Sequence, residues 1–142
     1  MVSLAQLQEI LPENMMLLIG PPGTGKPDFC QQVILRHLAM DRPIIYVMTE
    51  YGPSKAEAYL KERGLGEIEP GLLHYIDAYN ETVGLSVPYR PDTVHADCSN
   101  LSSIGIAISK LQERIGKKGI LLIFDSLVSP YLLSGTEVLR FL

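Results

Sequence analysis

Cysteine is scarce in this sequence, with only Cys30 and Cys98 among 142 residues. Two thiols in a domain of this size do not make a disulfide framework, so the fold has to rest on its core. Long apolar runs are also missing. The longest, Met15–Ile19 and Ile120–Phe124, fall far short of the ~20 residues of a membrane-spanning helix. No Lys or Arg precedes an apolar stretch in the first fourteen residues, so no signal peptide is expected. Basic charge is in deficit, 12 Lys and Arg against 16 Asp and Glu, for a net charge of −4. That balance argues against a protein held mainly to nucleic-acid phosphates or an anionic membrane. Internal repeats and low-complexity tracts are absent. What is left, 46% hydrophobic and 20% charged residues, is the composition of a globular domain. The expectation is one cytoplasmic domain over residues 1–142, with no membrane span.

The punctuation of the chain is that of an α/β protein. Residues 3–11 have the spacing of a short amphipathic helix, ended by Pro12. Met15–Ile19 predicts a strand buried on both faces. From Phe29 to Leu38 the apolar residues recur at helical spacing, with Asp28, Gln31, Gln32 and Arg36 opposite. Asp41-Arg42-Pro43 breaks that helix, and Ile44–Thr49 predicts a second strand. Pro53-Ser54 opens another helix, with Ser54 and Glu57 at capping-box spacing and Gly64 at its C-terminal cap. Leu72–Ile76 predicts a third strand, and the Pro-, Asp- and Asn-rich stretch 78–99 a long loop holding at most a small hairpin. Leu101, Ile104, Ile108, Leu111 and Ile115 mark one face of a helix closed by Gly116-Lys117-Lys118-Gly119. Ile120–Phe124 predicts a fourth strand, and 137–142 the start of a further helix. Strands alternating with helices predict a three-layer sandwich around a mainly parallel sheet.

The first strand leads into Gly20-Pro21-Pro22-Gly23-Thr24-Gly25-Lys26, the G-x-x-x-x-G-K spacing of a phosphate-binding loop between strand and helix. Glycine is needed there because the backbone must curl until its N–H groups point inward at a phosphate. The helix beginning near Pro27 adds its positive end, and Lys26 has the reach to touch β- and γ-phosphates. Asp125 is the first polar residue after the fourth apolar run. It would stand at the carboxyl edge of a parallel sheet, where ligands bind and where an acid can hold a nucleotide's Mg²⁺. A strand-ending Asp is also a common cap for the following turn. Glu50 ends the second strand in the same way, and a carboxylate there could orient or deprotonate water attacking a γ-phosphate.

The segments "LPENMMLLIGPPGTGK", "FCQQ", "YVMTEYGPS", "NLSSIGIAISKL" and "LLIFDSLVSPYLL" resemble the RecA superfamily, and within it the KaiC-like and FlaH-like ATPases of archaea and bacteria. The resemblance touches almost every segment outside 80–98. It implies a RecA-like P-loop NTPase sheet and ATP or ADP as ligand. It further implies Asp125 as the Walker B acid on Mg²⁺ and Glu50 as the catalytic glutamate. Ring-shaped homo-oligomers, in which neighbouring subunits complete each ATP site, are implied as well.

Two departures qualify that picture. After Gly25-Lys26 the family carries Ser or Thr, whose hydroxyl ligates Mg²⁺, whereas this chain has Pro27. Proline suits the first helical turn but offers neither a hydroxyl nor an N–H. Asp28 then places a carboxylate where the family commonly has a second Thr near the α-phosphate. An unscreened like-charge pair at about 4 Å, in an effective dielectric near 20, costs on the order of 4 kcal/mol. Weak or Mg²⁺-independent nucleotide binding and poor hydrolysis are therefore expected, or else a non-catalytic nucleotide-sensing or scaffold module. The second departure is length. The family sheet is ordered 5-1-4-3-2, and this sequence stops soon after its fourth strand. A fragment lacking the C-terminal part is expected, with Met15–Ile19 as an exposed edge.

Other chemistry-bearing residues have plainer readings. His95, Asp97 and Cys98 lack a zinc spacing or a partner cluster. Cys30 falls on an apolar helix face, and His37 and His74 have no nucleophile or ligand set nearby. Tyr75, Tyr79 and Tyr89 lack interleaved Lys or Arg, so packing is expected of them rather than a nucleic-acid channel.

Overall fold

The computed structural model describes residues 18–21, 23–116, 119–128 and 130. The helix expected at 3–11, the residues Met15–Leu17, the loop's Pro22, the Lys117-Lys118 turn and the helical start at 137–142 lie outside them. Helix α1 spans Lys26–Ala39, β1 Ile44–Met48, α2 Pro53–Glu62, β2 Leu73–Asp77, β3 Thr93–His95, α3 Leu101–Ile115 and β4 Leu121–Asp125.

The described strands form a four-stranded, all-parallel sheet in the order β3-β2-β1-β4. Strand β1 is central, with Met48 in register with Asp77 on one side and Asp125 on the other. Side chains alternate across a strand. Ile44, Tyr46 and Met48 therefore join Val33, Ile34 and Leu38 of α1 and Ala56 and Leu60 of α2 in one buried cluster. Ile45 and Val47 join Ile76 and the α3 residues Ile104, Ala107 and Leu111 in the other. Helices thus cover both faces, the three-layer α/β arrangement expected from the alternation of elements.

Four readings need correction. The stretch 78–99 is not a plain loop or hairpin, because Thr93–His95 adds a parallel edge strand to β2. That strand takes the free edge of β2, so the chain crosses beneath the sheet through α3 and β4 enters beside β1. The fourth expected strand accordingly neighbours the second, and not the third as the order 5-1-4-3-2 demands. Leu18 and Ile19 pair with no strand of the described sheet, and Ile19 is 83% exposed. Finally, α2 is capped by Gly52 with Pro53 in its first turn and no side-chain cap. Ser54 lies inside the helix, and Glu57 turns outward to Arg90 at 2.7 Å and Lys61 at 3.0 Å.

Candidate functional site

The glycine loop enters α1 through two left-handed residues, Gly23 at φ 82° and Gly25 at φ 86°. A side chain at either position would be strained, which is the backbone reason for glycine. Gly20 is required for space instead, since a Cβ there would lie 2.8 Å from Thr24 Oγ1. Thr24 Oγ1 donates to the Pro21 carbonyl at 2.7 Å and braces the turn. Lys26 begins the helix and folds its ammonium onto the loop, donating to the carbonyls of Gly20 and Pro21. Pro27 sits in the first turn without disturbing it. The first intrahelical bond runs from Phe29 N–H to Gly25 O at 3.0 Å. The N-cap residue, Gly25, makes no side-chain cap bond, so among the described residues the first-turn amides have no capping side chain, as an anion-binding terminus requires.

Asp28 lies in the first turn of that helix. Its carboxylate pairs with Arg63, which follows α2, and accepts from Gln32 Nε2 at 2.8 Å. Arg63 Nε also donates to Gln31 Oε1 at 2.5 Å, which explains why Gln31, read as a polar-face residue, is buried. Coulomb attraction and two donors hold the carboxylate on Arg63 and on Gln32, which lies one turn further along α1.

Parallel pairing brings Glu50 and Asp125 to one edge of the sheet, at the carboxyl ends of β1 and β4. The two strand ends are laced together. Thr49 Oγ1 donates to Ser126 O at 2.7 Å and accepts from Ser126 N–H at 2.9 Å. Ser126 Oγ donates to Glu50 Oε1 at 3.2 Å. Asp125 Oδ2 accepts from the hydroxyl of Tyr51 at 2.9 Å and of Tyr46 at 3.4 Å, while the two hydroxyls lie 2.6 Å apart. Burial, first of all, drives both phenols well above their ordinary range, so they remain protonated donors. Burial and then the charge of Asp125 push the Cys30 thiol up to about 11, which places α1 within the electrostatic reach of that carboxylate. The Asp125–Ser126 peptide is cis.

Tyr46, Tyr51, Thr49 and Ser126 were not singled out in the sequence. The polar run Thr49-Glu50-Tyr51 after an apolar strand was the available signal. Asp77 and His95 share the same carboxyl edge at 3.7 Å, and Cys98 packs into the core beneath α3. Tyr75 is buried as expected, but Tyr89 is 87% exposed. Among the described residues no group of three His, Cys, Asp or Glu side chains is placed to hold a metal. No described helix is long and apolar enough to cross a membrane.

No family model matches the chain. Its homologues are UPF0273 proteins. It is 38% identical over 89 residues to one from Pyrococcus furiosus, covering 60% of this chain and 36% of that protein. A Pyrococcus horikoshii UPF0273 protein is 36% identical over 90 residues, with the same shares. One from Methanopyrus kandleri is 32% identical over 100 residues, 68% of this chain and 40% of that protein. The chain thus spans well under half the length of these curated relatives.

Proposed function

We propose that this chain is the ATP-binding portion of a KaiC-like, RecA-superfamily protein, with hydrolysis weakened by Pro27. The observation that carries the reading is the glycine loop. Two left-handed glycines deliver the chain to an uncapped helix N-terminus with a lysine in its first turn. The residues present fit a polyphosphate, because backbone N–H groups, the helix end and the Lys26 ammonium all offer positive potential at one place. ATP or ADP would be held by Gly20, Pro21, Pro22, Gly23, Thr24, Gly25 and Lys26. Asp125 would carry Mg²⁺, directly or through water, and Glu50 would orient the attacking water. A bound Mg²⁺ would neutralise charge on the phosphates.

Lys26 would donate hydrogen bonds to phosphate oxygens in place of the loop carbonyls it now bonds. Pro27 offers no hydroxyl and no amide donor, so a bound Mg²⁺ would find no ligand at that first-turn position. A second reading, a nucleotide-sensing or scaffold module without catalysis, is favoured by Asp125, whose Oδ2 already accepts from two tyrosines. Homo-oligomerisation belongs to the same proposal, since neighbouring subunits would complete each site.

Calorimetric titration of ATP with and without Mg²⁺, on this chain and on Pro27→Thr, tests the reading. Both proteins are expected to bind, and only the Thr form to gain from magnesium, by about tenfold. Absence of binding by both would discard the ATP site. Rapid Mg²⁺-dependent turnover by the unaltered chain would instead overturn weak hydrolysis. Sedimentation of the same samples reports whether nucleotide assembles the protein.

A further inference from the structure

Asp28 is an acid in the first turn of the helix whose positive end forms the proposed phosphate cradle. An uncompensated carboxylate there would repel a polyphosphate and cancel part of the helix-end potential. Two side chains engage it. Gln32 is one turn further along α1, and Arg63 comes from the end of α2. Arg63 is itself fixed by a second bond, to Gln31. A guanidinium suits this task because its fork reaches two acceptors at once and its charge is permanent.

We infer that Arg63 is a positioning residue for nucleotide affinity: it neutralises Asp28 and draws its carboxylate away from the phosphate cradle. The inference rests on the ATP reading, and it explains how an acid at this place is compatible with that reading. Arg63 thus acts on the nucleotide only through Asp28. Its contribution should therefore vanish when Asp28 carries no charge.

The test is a double-mutant cycle, read by calorimetric ATP titration in EDTA so that no metal enters, with a thermal melt of each protein. Arg63→Ala is expected to weaken ATP binding by about tenfold. Asp28→Asn should tighten it a few-fold, and the double variant should bind within roughly twofold of Asp28→Asn. Arg63→Lys, which keeps the charge, should lie between the unaltered chain and Arg63→Ala, and it serves if Arg63→Ala fails to fold. Should Arg63→Ala bind as the unaltered chain does, the inference is overturned. It is equally overturned if the loss persists in the double variant, which would make Arg63 a brace between α1 and α2. If no variant binds ATP, or if Lys26→Ala binds as well as the parent, the ATP reading itself fails.

Discussion

Asp77 and Asp125 end their strands after similar apolar runs, yet their carboxylates meet different partners. Asp77 is fully buried, and its oxygens accept from the N–H groups of Tyr79 and Asn80 and from Asn80 Nδ2. It closes the turn that follows β2. Asp125 is only partly buried and accepts from phenol hydroxyls instead. Tyr51→Phe removes the shorter of those donors while leaving the ring against Tyr59, 5.9 Å away. A loss of about 1–2 kcal/mol is expected, since a hydrogen bond to a charged, half-buried acceptor is broken. Urea denaturation at neutral pH measures it, and an unchanged midpoint would mean that water replaces the hydroxyl without cost. Only Asp125 was legible in the sequence as a strand end, and Asp77 fell just past the expected strand Leu72–Ile76 without a reading of its own. Their partners differ in reach: Asn80 is three residues from Asp77, whereas Tyr51 and Tyr46 are 74 and 79 residues from Asp125.

Helix α3 shows how far local chemistry reaches at the scale of an element. Its apolar positions repeat at helical spacing, and Ile104 and Leu111 are fully buried against the sheet. Asn100 caps it, accepting from Ser103 N–H at 3.3 Å, and Gly116 leaves it in the left-handed conformation at φ 60°. Asn100→Ala should cost about 1 kcal/mol by leaving a first-turn donor without its side-chain acceptor. A fall in the denaturation midpoint with an unchanged m-value would show it, and no shift would mean solvent already serves that N–H. Strand β3 lies at the other extreme. Thr93, Val94 and His95 carry no apolar run, and none of the three is buried. Their extended conformation comes from pairing with β2, a non-local interaction that no window of sequence contains. The same limit applies to Ser54 and Glu57, whose capping-box spacing lost to Gly52 and Pro53 at the helix start and to Arg90 across the fold.

Arg90 joins α2 to the β2–β3 side of the sheet. It bonds Glu57 of α2 and Asp92 at the start of β3, and its guanidinium lies 5.4 Å from the Tyr75 ring centroid. The bond from Arg90 first, and then that from Lys61, hold Glu57 below its ordinary value of 4.5. Burial works to raise Asp92, but its bonds from Arg90 and Thr93 prevail and hold it low as well. The unfolded chain therefore takes up these protons before the folded one does. Their stabilisation is complete above the ordinary carboxylate range and is lost as pH falls below about 4.5. Glu57→Gln is expected to be less stable at pH 7 and to show a shallower loss of stability in acid. Urea midpoints measured from neutral pH downward would check this. Parallel curves for the two proteins would show that the network carries no linked protons.

The α/β class, the glycine loop, the helix faces and the strand-ending acids were all present in the linear pattern. Each depends on backbone geometry and burial periodicity within a few residues. Strand order was decided elsewhere. Once Thr93–His95 occupies the free edge of β2, β4 pairs with β1, and that pairing sets Asp125 beside Glu50. The neutralisation of Asp28 by Arg63 and the tyrosine hydroxyls on Asp125 likewise arise only when α2 and β1 pack against their neighbours. Local sequence specifies which groups a strand or helix offers. Which charge meets which is settled by contacts between segments far apart in the chain.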